Sequence, residues 1–383
     1  MDLSYIINQL GEDRENYYEA ISPPVIQSSN FAFKNVADMR NQLADEFNYT
    51  LYSRGNNPTT NILRKKIAAL EQGEDALILS SGSSAVSCAI TANVNAGDHI
   101  VCVDNPYTWT KKLLNDILPR FNVTTTYVDG TDTRNFINAI QPNTKIIYLE
   151  SPNSFTFELQ DIEAIASLSK KRKILTIVDN SYATPLNQQP ITMGADMVVH
   201  SVSKYLNGHS DVVAGVIVGK KNMIRKIFDN EFMTFGPNLS PWDAWLVLRG
   251  LRTLEIRMER VSESAEKIVE FLKNHSLIEN VYYPLAGTNA QYKLARKQLK
   301  NSAGMFTIKL KVENVNAVET FCNHLKRFQL AVSWGGHESL VFPACAAMKN
   351  PEHGFDLVRA SIGLEDPEIL IEDLRQALSF VKK

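Results

Sequence analysis

At 383 residues, 44% hydrophobic and 21% charged, the chain has an ordinary globular composition and enough length for two or three domains. A formal charge of −2 offers no electrostatic footprint for a nucleic acid or an acidic membrane surface. Four cysteines without CxxC spacing, a start (Met1-Asp2-Leu3-Ser4) without a basic leader, and no apolar run of about 20 residues lead us to expect free thiols and a cytoplasmic protein with no membrane association.

Residues 1–60 mix acids, amides and turn formers such as Ser22-Pro23-Pro24 and Gly55-Asn56-Asn57-Pro58, and read as an arm that packs on something else. From residue 76, short β-rich runs at 76–79, 100–103, 123–128, 145–149, 174–178, 197–199 and 214–218 alternate with helical stretches at 84–94, 111–118 and 161–170. That alternation predicts an α/β fold with seven buried strands, mostly parallel because crossover helices separate them. Only the loop around Lys204 separates the last two runs, which leaves room for an antiparallel connection there. After Ser240-Pro241 a long amphipathic helix is predicted over 242–274. It is followed by a strand over 305–311, a helix over 315–328, strands at 330–332 and 357–362, and a closing helix over 367–381. The expected organisation is an arm over 1–60, a large domain over 61–240 and a smaller α/β domain over 241–383.

In sheets of this kind ligands collect beyond the carboxyl ends of the strands. Asp179, in Ile177-Val178-Asp179-Asn180, and Lys204, in Ser203-Lys204-Tyr205, stand where two strands run out. Pyridoxal 5'-phosphate requires such a pair: a lysine amine for its aldehyde and a carboxylate to keep its ring nitrogen protonated. A solvated acid and lysine is the plain alternative, so the neighbouring residues decide. Ser80-Ser81-Gly82-Ser83-Ser84 opens a helix after a strand and can present N–H groups to a phosphate, or serve only as an N-cap. Tyr107 follows the next strand, where its ring could stack on a flat cofactor or belong to the core. The hydroxyls of Ser201 and Ser203 could complete a phosphate site. Tyr52 and Arg54 join an aromatic hydroxyl to a guanidinium suited to planar anions, with a surface turn as the alternative. In Val358-Arg359-Ala360-Ser361-Ile362 the alternation turns Arg359 from the apolar side, toward a substrate carboxylate or toward solvent. No GxGxxG, GxxxxGK[ST], HExxH or GxSxG motif competes. The seven histidines form no metal-ligand spacing, and His209 reads as a loop hydrogen-bonder.

Taken in order, Tyr52-Ser53-Arg54, Asn57-Pro58-Thr59, Ser81-Gly82, Tyr107, Glu150-Ser151-Pro152, Val178-Asp179-Asn180, Ser203-Lys204-Tyr205, Gly208-His209-Ser210-Asp211, Leu248-Arg249-Gly250-Leu251-Arg252, Ser333-Trp334-Gly335-Gly336 and Arg359-Ala360-Ser361-Ile362-Gly363 span the chain. The whole resembles the cystathionine lyase and synthase family, the Cys/Met-metabolism pyridoxal-phosphate enzymes. The resemblance implies the aspartate aminotransferase type I fold of PLP-dependent transferases: a mostly parallel seven-stranded sheet with helices on both faces, plus a smaller C-terminal α/β domain. It implies pyridoxal 5'-phosphate as cofactor and a homotetramer, a dimer of dimers with shared active sites. Lys204 would carry the cofactor as a Schiff base and act as catalytic base, Asp179 would hold the ring nitrogen, and Tyr107 would stack on the ring. Ser81, Gly82, Ser83, Ser201 and Ser203 would surround the phosphate, with Tyr52 and Arg54 reaching the site of the neighbouring subunit. Arg359 and Ser333 would hold the substrate carboxylate, while Val332, Trp334 and Trp109 would line its side chain.

The implied activity is elimination of a thiol from a cystathionine-, cysteine- or methionine-like substrate, giving a 2-oxo acid and ammonia. Departures from the family pattern bear on substrate. Val332 stands where cystathionine γ-enzymes typically carry Glu, and Trp109 stands where methionine γ-lyases carry Cys. Trp334 and the block Glu150-Ser151-Pro152-Asn153-Ser154, with Ser154 in place of the usual Asn, look more like bacterial cystathionine β-lyases, which places β-elimination slightly ahead of γ-elimination. Cystathionine γ-synthase-type replacement on an O-acylhomoserine and a non-catalytic cofactor-binding regulator are the alternatives.

Overall fold

The computed structural model describes residues 1–347 and 354–381. Seven strands make the main sheet: β1 (Asp75–Leu79), β2 (His99–Val103), β3 (Thr124–Val128), β4 (Thr144–Glu150), β5 (Leu175–Asp179), β6 (Met197–Ser201) and β7 (Gly215–Gly219), in the order β1-β7-β6-β5-β4-β2-β3. The β2–β3, β2–β4, β4–β5 and β5–β6 pairs are parallel, and β7 runs antiparallel to both β1 and β6. The expected antiparallel step thus follows Lys204, where no helix is available to bring the chain back for parallel pairing.

These strands read as apolar runs because both faces of the sheet are covered. Leu77 and Leu79 of β1 enter one core, shared with Ile162 and Ile165 of the helix Ile162–Arg172. Ala76 and Ile78 enter the other, shared with Leu63 and Ile67 of the helix Pro58–Leu70 and with Val247 and Leu248 of the helix Pro241–Leu251.

The second sheet contains β8 (Ile278–Tyr282), β9 (Met305–Leu310), β10 (Gln329–Leu330), β11 (Leu340–Pro343) and β12 (Leu357–Ser361), in the order β10-β11-β12-β9-β8. Its core receives Ile268 and Leu272 from the helix Leu254–Lys273 and Leu374 and Leu378 from the helix Pro367–Ser379. β8, β11 and the helix Tyr292–Gln298 were not legible in advance, being short and flanked by irregular chain.

Three predicted elements differ. The helix expected over 242–274 is two helices, interrupted at Arg252-Thr253, where Thr253 adopts φ −109° and ψ 6°. The Gly250 carbonyl accepts from the Thr253 N–H at 3.1 Å and from Arg257 Nη2 at 2.9 Å, tightening the last turn. The helix expected over 315–328 ends at Asn323. The strand expected over 330–332 is reduced to Gln329–Leu330, with a last ladder bond from the Ala331 N–H to the Val341 carbonyl at 3.2 Å before the chain turns at Ser333, with φ +73°.

The arm is less irregular than its composition suggests. Short helices at Leu3–Asn8 and Val36–Leu43 begin with Asp2 and Asn35 side chains accepting backbone N–H groups. Buried Lys66 donates to the Ile6 and Ile7 carbonyls and pairs with Glu12 at 3.1 Å, fastening the chain start to the helix Pro58–Leu70. All four cysteines are free and buried, as expected. Among the described residues no helix is long and apolar enough to cross a membrane.

Candidate active site

The parallel sheet reverses its winding between β2 and β4, the place where such sheets leave a crevice beyond their carboxyl ends. Tyr107 follows β2, Glu150 ends β4 and Asp179 ends β5, with Glu150 opposite Asp179 in register. The Tyr107 N–H donates to Glu150 Oε2 at 2.6 Å, spanning the switch point. Glu150 Oε1 accepts from Ser154 Oγ at 2.6 Å, so the serine that departs from the usual Asn serves the strand-end carboxyl. Burial and then the charge of Asp179 push the Glu150 carboxyl up to about 8. Burial also raises Asp179, opposed by hydrogen bonds from Ser181, whose N–H reaches Oδ1 at 2.9 Å. A cationic group against Asp179 would relieve that cost.

Beside these carboxyls the helix Gly82–Thr91 points its N-terminus into the crevice. Ser81 caps it in a capping box with Ser84. A side chain at position 82 has no room, since a Cβ there would lie 2.8 Å from Ser201 Cβ, so this Gly lets the helix start approach the end of β6. Free N–H groups and the positive helix end make a cradle for an anion. Ser83 stands beside the Tyr107 phenol, whose pKa is raised chiefly by burial. The Ser201 N–H donates to Ser181 Oγ at 2.7 Å. Ser203 is occupied otherwise: its Oγ accepts from the Ala214 N–H at 2.9 Å and donates to the Ala214 carbonyl at 3.2 Å, stapling the lysine loop.

Lys204 Nζ donates to Ser333 Oγ and lies 5.3 Å from the centre of the Trp334 ring. Burial, and next the Arg359 charge, lower its pKa to about 8, against the opposing pull of Asp179. Arg359 sits on β12, between β11 and β9 rather than on a solvent edge, and its Nη2 donates to the Ser333 carbonyl at 3.3 Å. The Trp334 ring also meets Tyr205 at 5.4 Å. The loop that carries Lys204 is held from behind by buried Arg257, which donates to the Tyr205 carbonyl (2.8 Å), the Gly250 carbonyl (2.9 Å) and Thr253 Oγ1 (3.0 Å). Gly208, at φ +72°, leaves the space that this guanidinium fills; a Cβ would stand 1.8 Å from Nη1. His209 bonds the Asn207 carbonyl at 2.7 Å, the loop role expected of it.

Other expected residues stand at the margin. Val332 is 73% exposed and Trp109 57% exposed, the latter with the Lys112 ammonium 5.7 Å from its ring. Tyr52 and Arg54 are exposed, with the guanidinium 5.6 Å from the Tyr52 ring. Among the described residues Arg54 makes no hydrogen bond or ion pair, and neither residue touches the groups around Lys204.

One residue was invisible to sequence reasoning. Glu71, just past the helix Pro58–Leu70, is fully buried, and its Oε1 accepts from His200 Nε2 at 2.6 Å and Asn180 Nδ2 at 2.8 Å. Gln188 continues the chain, donating to Asn180 Oδ1 at 3.0 Å and to the Ser151 carbonyl at 2.6 Å. This buried network ties together the ends of β4, β5 and β6 behind the crevice. In the sequence Glu71 reads only as a polar residue at a helix end.

The donor set suits pyridoxal 5'-phosphate. A half-buried carboxyl in need of a cation, a lysine with a depressed pKa, an aromatic ring and a helix-terminus anion cradle converge on one crevice. Residues 5–379 match the profile of the Cys/Met metabolism PLP-dependent enzymes. The chain is 40% identical to an L-methionine gamma-lyase of Treponema denticola over 96% of its own length and 95% of the relative's. It is 36% identical to a cystathionine gamma-lyase of Bacillus subtilis, with 94% of each chain covered. The crystal structure of metB from Corynebacterium glutamicum superposes with a TM-score of 0.93 at 35% identity, covering 99% of this chain and 98% of that one.

Proposed function

The chain belongs to the family of Cys/Met metabolism PLP-dependent enzymes, and on that premise we propose a carbon–sulfur lyase that eliminates a thiol from an apolar, methionine-like amino acid, leaving a 2-oxo acid and ammonia. The observation that carries the reading is Lys204, its amine set between Ser333 and the Trp334 ring and its pKa drawn down to about 8. When bound, pyridoxal phosphate supplies an electron sink that makes the Cα proton of an amino acid removable.

The chain's residues divide the remaining work. Lys204 would hold the cofactor aldehyde and, when free, would take the Cα proton, since a depressed pKa leaves more of the amine uncharged near neutrality. Asp179 keeps a proton on the ring nitrogen, and Glu150 fixes the Tyr107 backbone beside it. Tyr107 would stack on the ring, and its phenol, whose pKa is raised, would protonate the departing sulfur. Ser81, Gly82, Ser83 and Ser201 surround the phosphate, and Ser203 holds their loop. Arg359 and Ser333 take the substrate carboxylate.

Three observations favour γ-elimination from a methionine-like substrate over the β-elimination placed first on sequence grounds. Ser154 bonds Glu150, so its departure from the usual Asn has a local explanation unrelated to the carbon that loses sulfur. The Treponema denticola relative is named a methionine gamma-lyase. The rim residues Val332, Trp334 and Trp109 carry no charge to meet the distal amino and carboxyl groups of cystathionine.

Arg54, which makes no hydrogen bond or ion pair among the described residues, and the exposed apolar side chains of Tyr18, Ile21 and Val36 in the arm support a cytoplasmic homotetramer in which the arm completes a neighbour's phosphate site. The division into arm (1–60), large domain (61–240) and small domain (241–383) belongs to the same proposal. The test is a panel of methionine, homocysteine, cysteine, cystathionine and an O-acylhomoserine plus cysteine, with products identified. Release of 2-oxobutyrate and a thiol from methionine supports the reading. Pyruvate from cystathionine would restore β-elimination, and a thioether product would establish γ-replacement.

A further inference from the structure

Arg359 is held by aromatic rings. Its guanidinium carbon lies 5.3 Å from the centre of the Phe342 ring and 5.6 Å from that of Phe155, and the two rings meet edge-on at 6.1 Å and 75°. Phe342 stands directly opposite Arg359 in the antiparallel register of β11 and β12, while Phe155 arrives from the loop after β4, in the other domain. Phe155 adopts φ +73°, a conformation that bulky residues rarely take, yet it is only 6% exposed and packs with Ala344 and Leu357. A guanidinium withdrawn from water ordinarily finds a carboxylate. Among the described residues Arg359 has none, and its hydrogen bond goes to the Ser333 carbonyl. The negative faces of two rings take that place, leaving most of the planar N–H fork for a ligand.

We propose that Phe155 and Phe342 are positioning residues that clamp Arg359 and pre-orient its fork for the substrate carboxylate. This rests on the reading of Arg359 as the carboxylate-holding group. Preorganisation lowers the ordering cost of binding and leaves the chemical step alone. The clamp therefore acts on affinity and KM, with kcat preserved.

The test titrates the holoenzyme with L-alanine, which has no leaving group, and with ethylamine, its counterpart without a carboxylate, following the cofactor absorbance as each amine exchanges for Lys204. Phe155→Leu keeps bulk and removes the aromatic face; Phe342→Leu repeats the test from the strand should the loop variant fail to fold. Each is expected to weaken alanine binding about tenfold and leave ethylamine within about twofold, with Phe155→Tyr restoring alanine affinity. Wild-type alanine affinity in both Leu variants overturns the clamp, as does equal weakening for both amines. Arg359→Ala separates the two levels. If it leaves alanine binding unchanged, the reading of Arg359 itself falls; if it weakens binding while the Leu variants do not, only the clamp falls.

Discussion

Glu150 and Asp179 face each other in register at the carboxyl ends of adjacent parallel strands, a buried and a half-buried carboxyl bound to different neighbours. Glu150 holds its proton in the folded protein from its ordinary 4.5 up to about 8, a range in which the unfolded chain has already released it. The stability this proton confers is complete below 4.5 and is lost as pH rises through about 8. In Glu150→Gln, which cannot ionise, the thermal midpoint should fall less steeply than in the wild type between about pH 5 and pH 8. Equal slopes would remove Glu150 as the source.

Gly82 is where the start of its helix tolerates no side chain. Its Cβ would stand 2.8 Å from Ser201 Cβ and 3.0 Å from Ser201 Cα, so Gly82→Ala must push the helix start away from β6. Cofactor affinity, measured by equilibrium dialysis of the resolved enzyme, should fall by about tenfold or more, with a loss of stability of about 1–3 kcal/mol beside it.

Arg257 holds the chain after Lys204 by the Tyr205 carbonyl. Arg257→Leu leaves the Tyr205 carbonyl without a donor while the Gly250 carbonyl keeps the Thr253 N–H, so denaturant unfolding should show a loss of about 1–3 kcal/mol. Arg257→Lys should recover part of it, because an ammonium cannot reproduce the three-point fork. A Leu variant as stable as the wild type would contradict this account of the loop.

If Arg54 completes a neighbour's site, two dead variants should repair each other. Arg54→Ala and Lys204→Ala, refolded together in equal amounts, should give about a quarter of wild-type turnover, since half of the dimers are mixed and each has one intact site. No recovery would place Arg54 outside the shared site.

The large sheet was legible because its strands are buried on both faces and appear as uninterrupted apolar runs. Asp179 and Lys204 were legible for a different reason: their chemistry is specific and they stand where those runs end. The helix break at Arg252-Thr253 was not, since the apolar stripe continues from Leu251 to Leu254 and the break depends on Arg257 turning inward to a loop some fifty residues upstream. Glu71 was hidden because a buried acid at a helix end looks like an exposed one until its partners His200 and Asn180 are in place. Arg359 was correctly placed on a strand, but whether it faced solvent depended on β11, which the sequence did not reveal.

Borohydride reduction of the purified holoenzyme, followed by mapping of the pyridoxyl phosphate group among the peptides, tests the assignment of Lys204 most directly. We predict the modification on Lys204 and on none of the 23 other lysines, and its absence from Lys204→Ala. A pyridoxyl group fixed on another lysine, or Lys204 recovered unmodified, would contradict the account.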